Sequence, residues 1–244
     1  MRKLLLITLI LNVFVSCKIN RNNFASEKEE IFDSTYYMLK KAYSDKDTIL
    51  LNDFFEKWSE ASLKMEMQNE NEIAKILNDI YTEIYHPFDF KKYGWQYRYY
   101  CPKYAILPTE IKFKVVDSTI KCDFDKFNYG ANMDTLKPFY PNPDLEHAGR
   151  LLDIEPFKTA MKLFLEKDSY EKLKFVGSCN HIYTPISNGW KDYQTTPKIY
   201  CVLINKQLNK AIAYLRIIST GVCIELSFEN DKWNMEKVTD IWIE

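Results

Sequence analysis

The sequence predicts an α+β fold, in which an N-terminal helical region is followed by a curved antiparallel β-sheet packed on helices. Two periodicities indicate it. Apolar residues recur every three or four positions early in the chain, and they alternate with polar residues near its end. We expect the helical region to occupy residues 26–92 and the α+β domain to occupy residues 93–244. That domain is predicted to end in a four-stranded β-meander, residues 198–244.

Composition sets limits on both the fold and the partners. Of the 244 residues, 46% are hydrophobic and 15% are aromatic, which is ample for a packed core. The 33 basic residues nearly balance the 34 acidic ones, and the formal net charge is −1. This balance gives no electrostatic reason to expect nucleic acid as a partner.

The first residues predict export. Arg2 and Lys3 precede an apolar run, residues 4–15, which is too short to span a bilayer but is typical of a secretory signal peptide. We therefore assign residues 1–16 to a signal peptide.

The end of the apolar run predicts a lipid anchor. Phe14-Val15-Ser16-Cys17 resembles a bacterial lipobox, in which cleavage before the cysteine exposes a thiol and an amine that receive fatty acyl chains such as palmitate. Several such chains anchor a protein durably, because each buried methylene contributes about 0.8 kcal/mol. We expect a lipidated Cys17 and a tether within residues 17–25. The alternative is an ordinary signal peptide with an incidental cysteine.

The residues after Cys17 bear on the destination of the protein. Lys18, rather than an aspartate, follows the cysteine, which in lipoprotein systems generally points to the outer membrane. Residues 18–22 also lack the acidic run that resembles a surface-export signal in some gut bacteria. We expect an outer-membrane protein that faces the periplasm.

Three amphipathic helices are predicted within residues 26–92. Ser26 and Glu29 form a capping box that begins the first helix, residues 44–47 separate it from the second, and the third ends before Pro87. The apolar stripes of the three helices contain, in order, Phe32, Tyr36, Leu39 and Tyr43; Leu51, Phe54, Trp58 and Ala61; and Ile73, Ile76, Leu77, Ile80, Tyr81 and Ile84.

The most aromatic segment of the chain is residues 93–100. Stacked rings form sugar-binding surfaces and cation cages, so Trp95, Tyr97 and Tyr99 are candidate ligand-binding residues. Two further candidates, Trp190 and Tyr193, lie in a later irregular stretch. The alternative is that the rings of residues 93–100 fill the seam between the helices and the sheet.

The middle of the chain is predicted to begin with a β-hairpin. Residues 106–116 and 119–124 have strand periodicity on either side of a turn at Asp117-Ser118. Residues 125–146 have no sustained period and are predicted to form a long loop.

Two helices are predicted to follow that loop. Pro156 lies at the first turn of a helix with a continuous apolar stripe. Asp168 and Glu171 begin a shorter helix that ends near Gly177. The turns of the β-meander that follows are predicted at residues 205–209, Thr220-Gly221 and Asn230-Asp231.

Five cysteines follow Cys17, an odd number, so at least one thiol should stay unpaired in an oxidising compartment. In a sequential meander, Cys201 and Cys223 lie on the first and third strands, about 10 Å apart, whereas a disulfide needs Cα atoms closer than about 7 Å. We expect no bridge between them. Cys101 and Cys122 form a candidate pair, and five buried free thiols are the alternative.

Four stretches carry a resemblance: Leu151-Leu152-Asp153-Ile154-Glu155-Pro156-Phe157, Pro185-Ile186, Ala211-Ile212-Ala213-Tyr214-Leu215-Arg216-Ile217 and the closing Ile241-Trp242-Ile243-Glu244. Over residues 104–244 the chain resembles a group of gut-bacterial lipoproteins without an assigned activity, whose second half looks like a cystatin-like or NTF2-like α+β domain. The resemblance implies a fold and a compartment, and no activity.

The sequence marks no catalytic or metal site. His86, His147 and His181 are isolated, with neither a His-x-x-x-His nor a Cys-x-x-Cys motif near them. Cys179 lies two residues from His181, but such neighbours point apart as often as together. No pair of carboxylates is marked by its spacing as an acid and a base, and no cofactor is expected.

Three functions are compatible with these patterns. We expect a non-catalytic envelope lipoprotein that binds a protein or glycan partner. The first alternative is a hydrolase-like enzyme with a deep pocket between the curled sheet and the helix after Pro156. The second is an immunity-type protein that neutralises a secreted toxin.

Overall fold

The computed structural model describes residues 34–66, 71–95, 103–117, 132–167, 169–180, 197–217 and 220–243. Among these residues, every helix is too short or too polar to cross a membrane.

The described chain begins with helices. Residues 34–45 form α1. The helices that follow are α2 (Thr48–Leu63), α3 (Glu72–Ile84) and a short 3₁₀ helix (Phe90–Tyr93). Asp47 begins α2 by accepting hydrogen bonds from the N–H groups of Ile49 and Leu50, at 2.9 and 3.0 Å. Asn71 begins α3 in the same way.

In the part of the chain that the structure describes, eight strands and two more helices follow. They are β1 (Tyr104–Leu107), β2 (Ile111–Val116), β3 (Asp134–Leu136), β4 (Gly149–Leu152), α4 (Phe157–Leu165), α5 (Ser169–Asn180), β5 (Lys198–Asn205), β6 (Lys210–Ile217), β7 (Thr220–Glu229) and β8 (Lys232–Ile243). Six strands form one sheet in the order β3-β2-β5-β6-β7-β8, in which only β2 and β5 run parallel, and β1 and β4 form a separate parallel pair.

The predicted α+β class and the mostly antiparallel curved sheet are therefore confirmed. The helix predicted before Pro87 and the four strands of the meander are also confirmed, because each has a strong period in the sequence. The capping box at Ser26 and Glu29 lies outside the described residues, as does the partner strand of the predicted hairpin, residues 119–124.

Several boundaries differ from the predictions. The segment read as one strand, residues 106–116, is divided between β1 and β2, which belong to different sheets. The loop predicted over residues 125–146 contains β3, and Thr220 and Gly221 are already paired within β7. The helix predicted to end near Gly177 continues to Asn180.

One hydrophobic core joins the helices to the sheet. Val202, Ala213 and Ile224, from adjacent strands, face this core together with residues of α1 to α4. Its largest fully buried side chains include Trp58, Tyr81, Tyr85, Phe54, Phe55, Phe90, Phe139 and Phe164. The residues 26–92 that the structure describes thus share their core with the α+β domain.

The opposite face of the sheet holds a second, smaller cluster. Cys201, Tyr214 and Cys223 are side by side on β5, β6 and β7, and all three are buried. Cys201 is a free thiol, whereas Cys223 is disulfide-bonded to a partner outside the described side chains. The prediction that these two cysteines do not bridge each other is confirmed. The candidate pair Cys101 and Cys122 lies outside the described residues.

Candidate functional site

A pocket of 330 Å³ lies where the loop between β1 and β2, the loop after β3 and the turn between β4 and α4 meet. It is lined by Met65, Thr109, Lys137, Pro138, Tyr140, Asp153, Ile154, Glu155 and Lys158. Four of these side chains are charged: Lys137 and Lys158 are basic, and Asp153 and Glu155 are acidic. We define this group of residues as the Asp153 pocket.

The backbone of Asp153 is fixed by hydrogen bonds to the end of β1 and to the loop before β2. Its N–H donates to the carbonyl oxygen of Leu107 at 2.9 Å, so the pairing of β4 with β1 extends one residue beyond the strand. The hydroxyl of Thr109 donates to the Asp153 carbonyl oxygen at 3.2 Å. The Thr109 carbonyl oxygen in turn accepts a hydrogen bond from the N–H of Phe139, which holds the loop after β3 against the loop between β1 and β2. The position of the Asp153 backbone therefore follows from regular strand pairing.

Two ion pairs border the pocket. The Lys158 ammonium donates to Oδ2 of Asp153 at 2.7 Å, and the side chains of the lysine and the aspartate are 39% and 16% exposed. Lys137 pairs with Glu110 at 3.2 Å, and both side chains are largely exposed. The pair of Lys158 with Asp153 is the better shielded from solvent, and the pair of Lys137 with Glu110 is screened by water.

Glu155 is the second carboxylate of the pocket lining. Its Oε2 accepts a hydrogen bond from the N–H of Thr159 at 3.3 Å, in the first turn of α4, where a carboxylate is stabilised by the helix dipole. In the described part of the chain, Oε1 of Glu155 and Oδ1 of Asp153 have no hydrogen-bond partner. Each carboxylate therefore has one oxygen available to a ligand.

The opposite edge of β4 is bonded to side chains of α2. The indole N–H of Trp58 donates to the carbonyl oxygen of Leu152 at 2.7 Å. The hydroxyl of Ser62 accepts from the Leu152 N–H at 2.8 Å and donates to the Trp58 carbonyl oxygen at 2.9 Å. Because Asp153 directly follows Leu152, these buried bonds couple the pocket to the core.

Arg150 connects the end of α2 to the loop behind the pocket. Its guanidinium donates to the carbonyl oxygens of Ser62 at 2.7 Å, Met65 at 3.3 Å and Pro141 at 3.3 Å. A cation at this position offsets the negative end of the helix dipole. Burial lowers the pKa of Arg150, but an arginine stays charged at physiological pH. Arg150 therefore positions Met65, which lines the pocket.

Of the aromatic residues proposed as ligand-binding, the structure describes Trp95. It packs against the main core, and its ring meets that of Phe90 edge to face at 5.8 Å. Its neighbour Tyr93 is buried and donates a hydrogen bond to the carbonyl oxygen of Ile84 at 2.6 Å. These positions are those of the alternative interpretation, in which the rings fill a seam. Tyr97, Tyr99, Trp190, Tyr193 and Cys17 lie outside the described residues.

The sequence interpretation did not identify the Asp153 pocket. Asp153 and Glu155 stand on either side of the buried Ile154, just before the helix that Pro156 was predicted to begin. Two carboxylates at this spacing between a strand and a helix were the available signal. Lys137 is distant from the two carboxylates in the sequence. It reaches the same opening because the loop after β3 folds back, and the sequence does not indicate that return.

The described residues show no metal centre. Within them, no three His, Cys, Asp or Glu side chains are grouped so that they could hold a metal ion. His86 and His147 lie in separate places, and His181 is outside the described residues.

Comparisons with protein-family models, with curated proteins and with solved structures found no match for this chain.

Proposed function

We propose that this chain is a lipid-anchored protein of the bacterial cell envelope, which faces the periplasm from the outer membrane and binds a protein or glycan partner without catalysing a reaction. The observation that carries the proposal is the sequence before the folded part, where Arg2 and Lys3, the apolar run and Cys17 follow one another in the order of a lipoprotein signal. The lipid would tether the folded part close to the membrane.

The Asp153 pocket supports the binding part of the proposal. It combines a half-buried aromatic ring, Tyr140, with hydroxyl, carboxylate and ammonium groups that can hydrogen-bond a polar ligand. Glycans and peptide segments both present such polar groups beside apolar surface. We therefore place the partner-binding site at this pocket.

The enzyme alternative required a deep cavity between the sheet and α4. In the described residues, that space holds packed side chains: Phe157, Met161 and Phe164 belong to the same core as Val202 and Ile224. This packing favours a binding protein over an enzyme of that design. An immunity-type protein would also be a binding protein, and a toxin gene beside the gene for this chain would support it.

The finer fold class is also a proposal. We propose a cystatin-like or NTF2-like domain, because the four-stranded meander β5–β8 packs one face against helices, α3 among them. The resemblance to gut-bacterial lipoproteins that we propose for residues 104–244 implies the same class.

The anchor is tested by metabolic labelling with an alkyne-bearing fatty acid. We expect label on the wild-type chain and on Cys201→Ala, a control that removes a buried cysteine, and no label on Cys17→Ala. Label on Cys17→Ala, or none on the wild type, would contradict the proposed lipidation.

The binding site is tested with the full-length protein purified in detergent. Envelope glycans and cell-wall fragments are screened by thermal shift, and the hits are repeated with Asp153→Asn. The matched control is Asp117→Asn, which removes an exposed carboxylate paired with Lys206 on the main sheet. We expect a stabilising shift that Asp153→Asn removes and Asp117→Asn keeps. A ligand whose shift survives Asp153→Asn would place binding elsewhere on the protein.

A further inference from the structure

We infer that the Asp153 pocket binds a small zwitterionic ligand, one that carries an ammonium group and a carboxylate on a short aliphatic frame. The inference rests on the proposed binding function of this pocket, and it names the chemical class of the ligand.

The first step is the balance of charge. Asp153 and Glu155 contribute two negative charges to the lining, and Lys137 and Lys158 contribute two positive charges. A purely anionic ligand would face the two carboxylates, and a purely cationic one would face the two ammonium groups. A ligand with one charge of each sign can pair with a carboxylate and with an ammonium group of the lining, so charge complementarity selects it against singly charged analogues.

The second step is the availability of the polar atoms. Asp153 Oδ1 and Glu155 Oε1 can accept hydrogen bonds from a ligand ammonium, since their companion oxygens already bind Lys158 and the N–H of Thr159. Each lysine ammonium has three donors, and Lys158 uses one of them on Asp153. The remaining donors of Lys158 and Lys137 can bind a ligand carboxylate.

The third step is the cost of opening the pocket to a ligand. The bond between Lys137 and Glu110 lies at the surface, and exposed ion pairs contribute only about 0–1 kcal/mol. Lys137 can therefore leave Glu110 for a ligand carboxylate at little cost. Asp153 needs no rearrangement, because its backbone is already held by Leu107 and Thr109.

The fourth step is size and apolar surface. A volume of 330 Å³ is at the lower end of the range for ligand pockets, roughly 300–1,000 Å³. Met65, Pro138 and Ile154 supply apolar surface between the charged groups. These dimensions suit an amino acid or a short peptide with free ends better than a long chain.

The test is a charge series of four tripeptides titrated calorimetrically into the full-length protein in detergent. The probes are trialanine, which is zwitterionic; N-acetyl-trialanine, which is anionic; trialanine amide, which is cationic; and N-acetyl-trialanine amide, which is neutral. We expect trialanine to bind at least about tenfold more tightly than either singly blocked peptide, and the neutral peptide to bind most weakly. Equal affinities, tighter binding of a singly charged peptide, or no binding of trialanine at roughly millimolar concentration would overturn the inference.

Two surface variants assign the two ends of the ligand. We expect Lys137→Met to weaken trialanine severalfold while leaving trialanine amide unchanged, because the amide has no carboxylate to lose. We expect Glu155→Gln to weaken trialanine severalfold while leaving N-acetyl-trialanine unchanged. Asp117→Asn should change none of the affinities. Folding of each variant is verified by thermal denaturation, and folded variants that bind trialanine like the wild type would also overturn the inference.

Failure of the inference and failure of the proposed function have different signatures. A flat charge series removes the zwitterionic ligand, while a thermal shift that Asp153→Asn removes still supports a binding site at the pocket. A thermal shift that survives Asp153→Asn counts against the pocket as the binding site, whatever the charge series shows.

Discussion

The hydroxyl of Ser62, in α2, accepts a hydrogen bond from the backbone N–H of Leu152, in β4, at a distance of 2.8 Å. Among the described strands, β4 pairs with β1 along one edge only, so the other edge would leave buried N–H and C=O groups without partners. Ser62 satisfies the N–H of Leu152, and the indole of Trp58 satisfies its carbonyl oxygen. Side chains of a helix thus replace a strand beside the segment that leads into the Asp153 pocket.

We expect Ser62→Ala to lower the free energy of unfolding by about 1–3 kcal/mol, because it leaves the buried Leu152 N–H without an acceptor. The measurement is equilibrium denaturation in urea. Leu63→Ala is the matched control in the same helix, since Leu63 is 63% exposed, and it should change the free energy by no more than about 0.5 kcal/mol. Equal effects of the two substitutions would contradict a structural role for the Ser62 bond.

The bond between Ser62 and Leu152 illustrates why some elements of the fold could be predicted from the sequence and others could not. The helix α3 and the strands β5 to β8 carry long periodic patterns, so their type follows from local information. The strands β1 and β4 have four residues each, and those of β1 are all buried, which leaves no alternation to detect. The outer edge of β4 is hydrogen-bonded by Trp58 and Ser62, which are far away in the sequence.

The candidate site was less predictable for a related reason. Aromatic content drew attention to Trp95, whose ring packs against the core. The Asp153 pocket instead combines one segment before a helix with a loop that contains Lys137 and Tyr140. That loop has no period, so the sequence could not indicate where it returns to the fold.

Gly149, at the start of β4, provides a second test of packing. A Cβ atom placed there would lie 2.6 Å from Cδ1 of Tyr104, whose ring stacks on that of Phe55. The ring is buried and stacked, so we expect Gly149→Ala to cost about 1–3 kcal/mol of unfolding free energy, measured by urea denaturation.

A double-mutant cycle with Tyr104→Leu, which removes the ring, tests whether the clash with Tyr104 causes the loss of stability in Gly149→Ala. We expect the double variant to be less destabilised than the sum of the two single variants. Gly94→Ala is the control, because its cost arises from a left-handed backbone, φ 84°, and no atom lies within 4 Å of the added Cβ. Tyr104→Leu should leave the cost of Gly94→Ala unchanged. An additive result for Gly149 would show that the clash is relieved elsewhere.

His86 predicts a pH dependence of stability. Burial lowers the pKa of His86 below its ordinary value of 6.5, and Lys92 lowers it further, against opposing contributions from Glu83 and Asp89. The unfolded chain therefore takes up the proton at a higher pH than the folded protein. Stability is full above 6.5 and falls as the pH drops from 6.5 towards the lowered pKa of the folded state. The measurement is the free energy of unfolding at about pH 7 and about pH 5.

We expect His86→Gln to reduce this loss of stability on acidification, because the titrating group is gone. His147→Gln is the matched control, since His147 is exposed, and it should retain the slope of the wild type. If His86→Gln keeps the full slope, other groups account for the pH dependence.

Cys201 should be chemically inert in the folded protein. Its side chain is 1% exposed, and burial raises its pKa to about 12, although the nearby Lys112 opposes the shift. Alkylating reagents attack the thiolate, of which only roughly one part in ten thousand is present at about pH 8 for such a pKa. We expect no modification of Cys201 by iodoacetamide under native conditions and complete modification in guanidinium chloride, as measured by peptide mass spectrometry.

Ile49→Cys supplies an exposed reference thiol, since Ile49 is 73% exposed, and it should react at the rate of a free cysteine. Modification of Cys201 as fast as position 49 would mean that the cluster around Tyr214 opens readily, which the close packing of β5, β6 and β7 argues against.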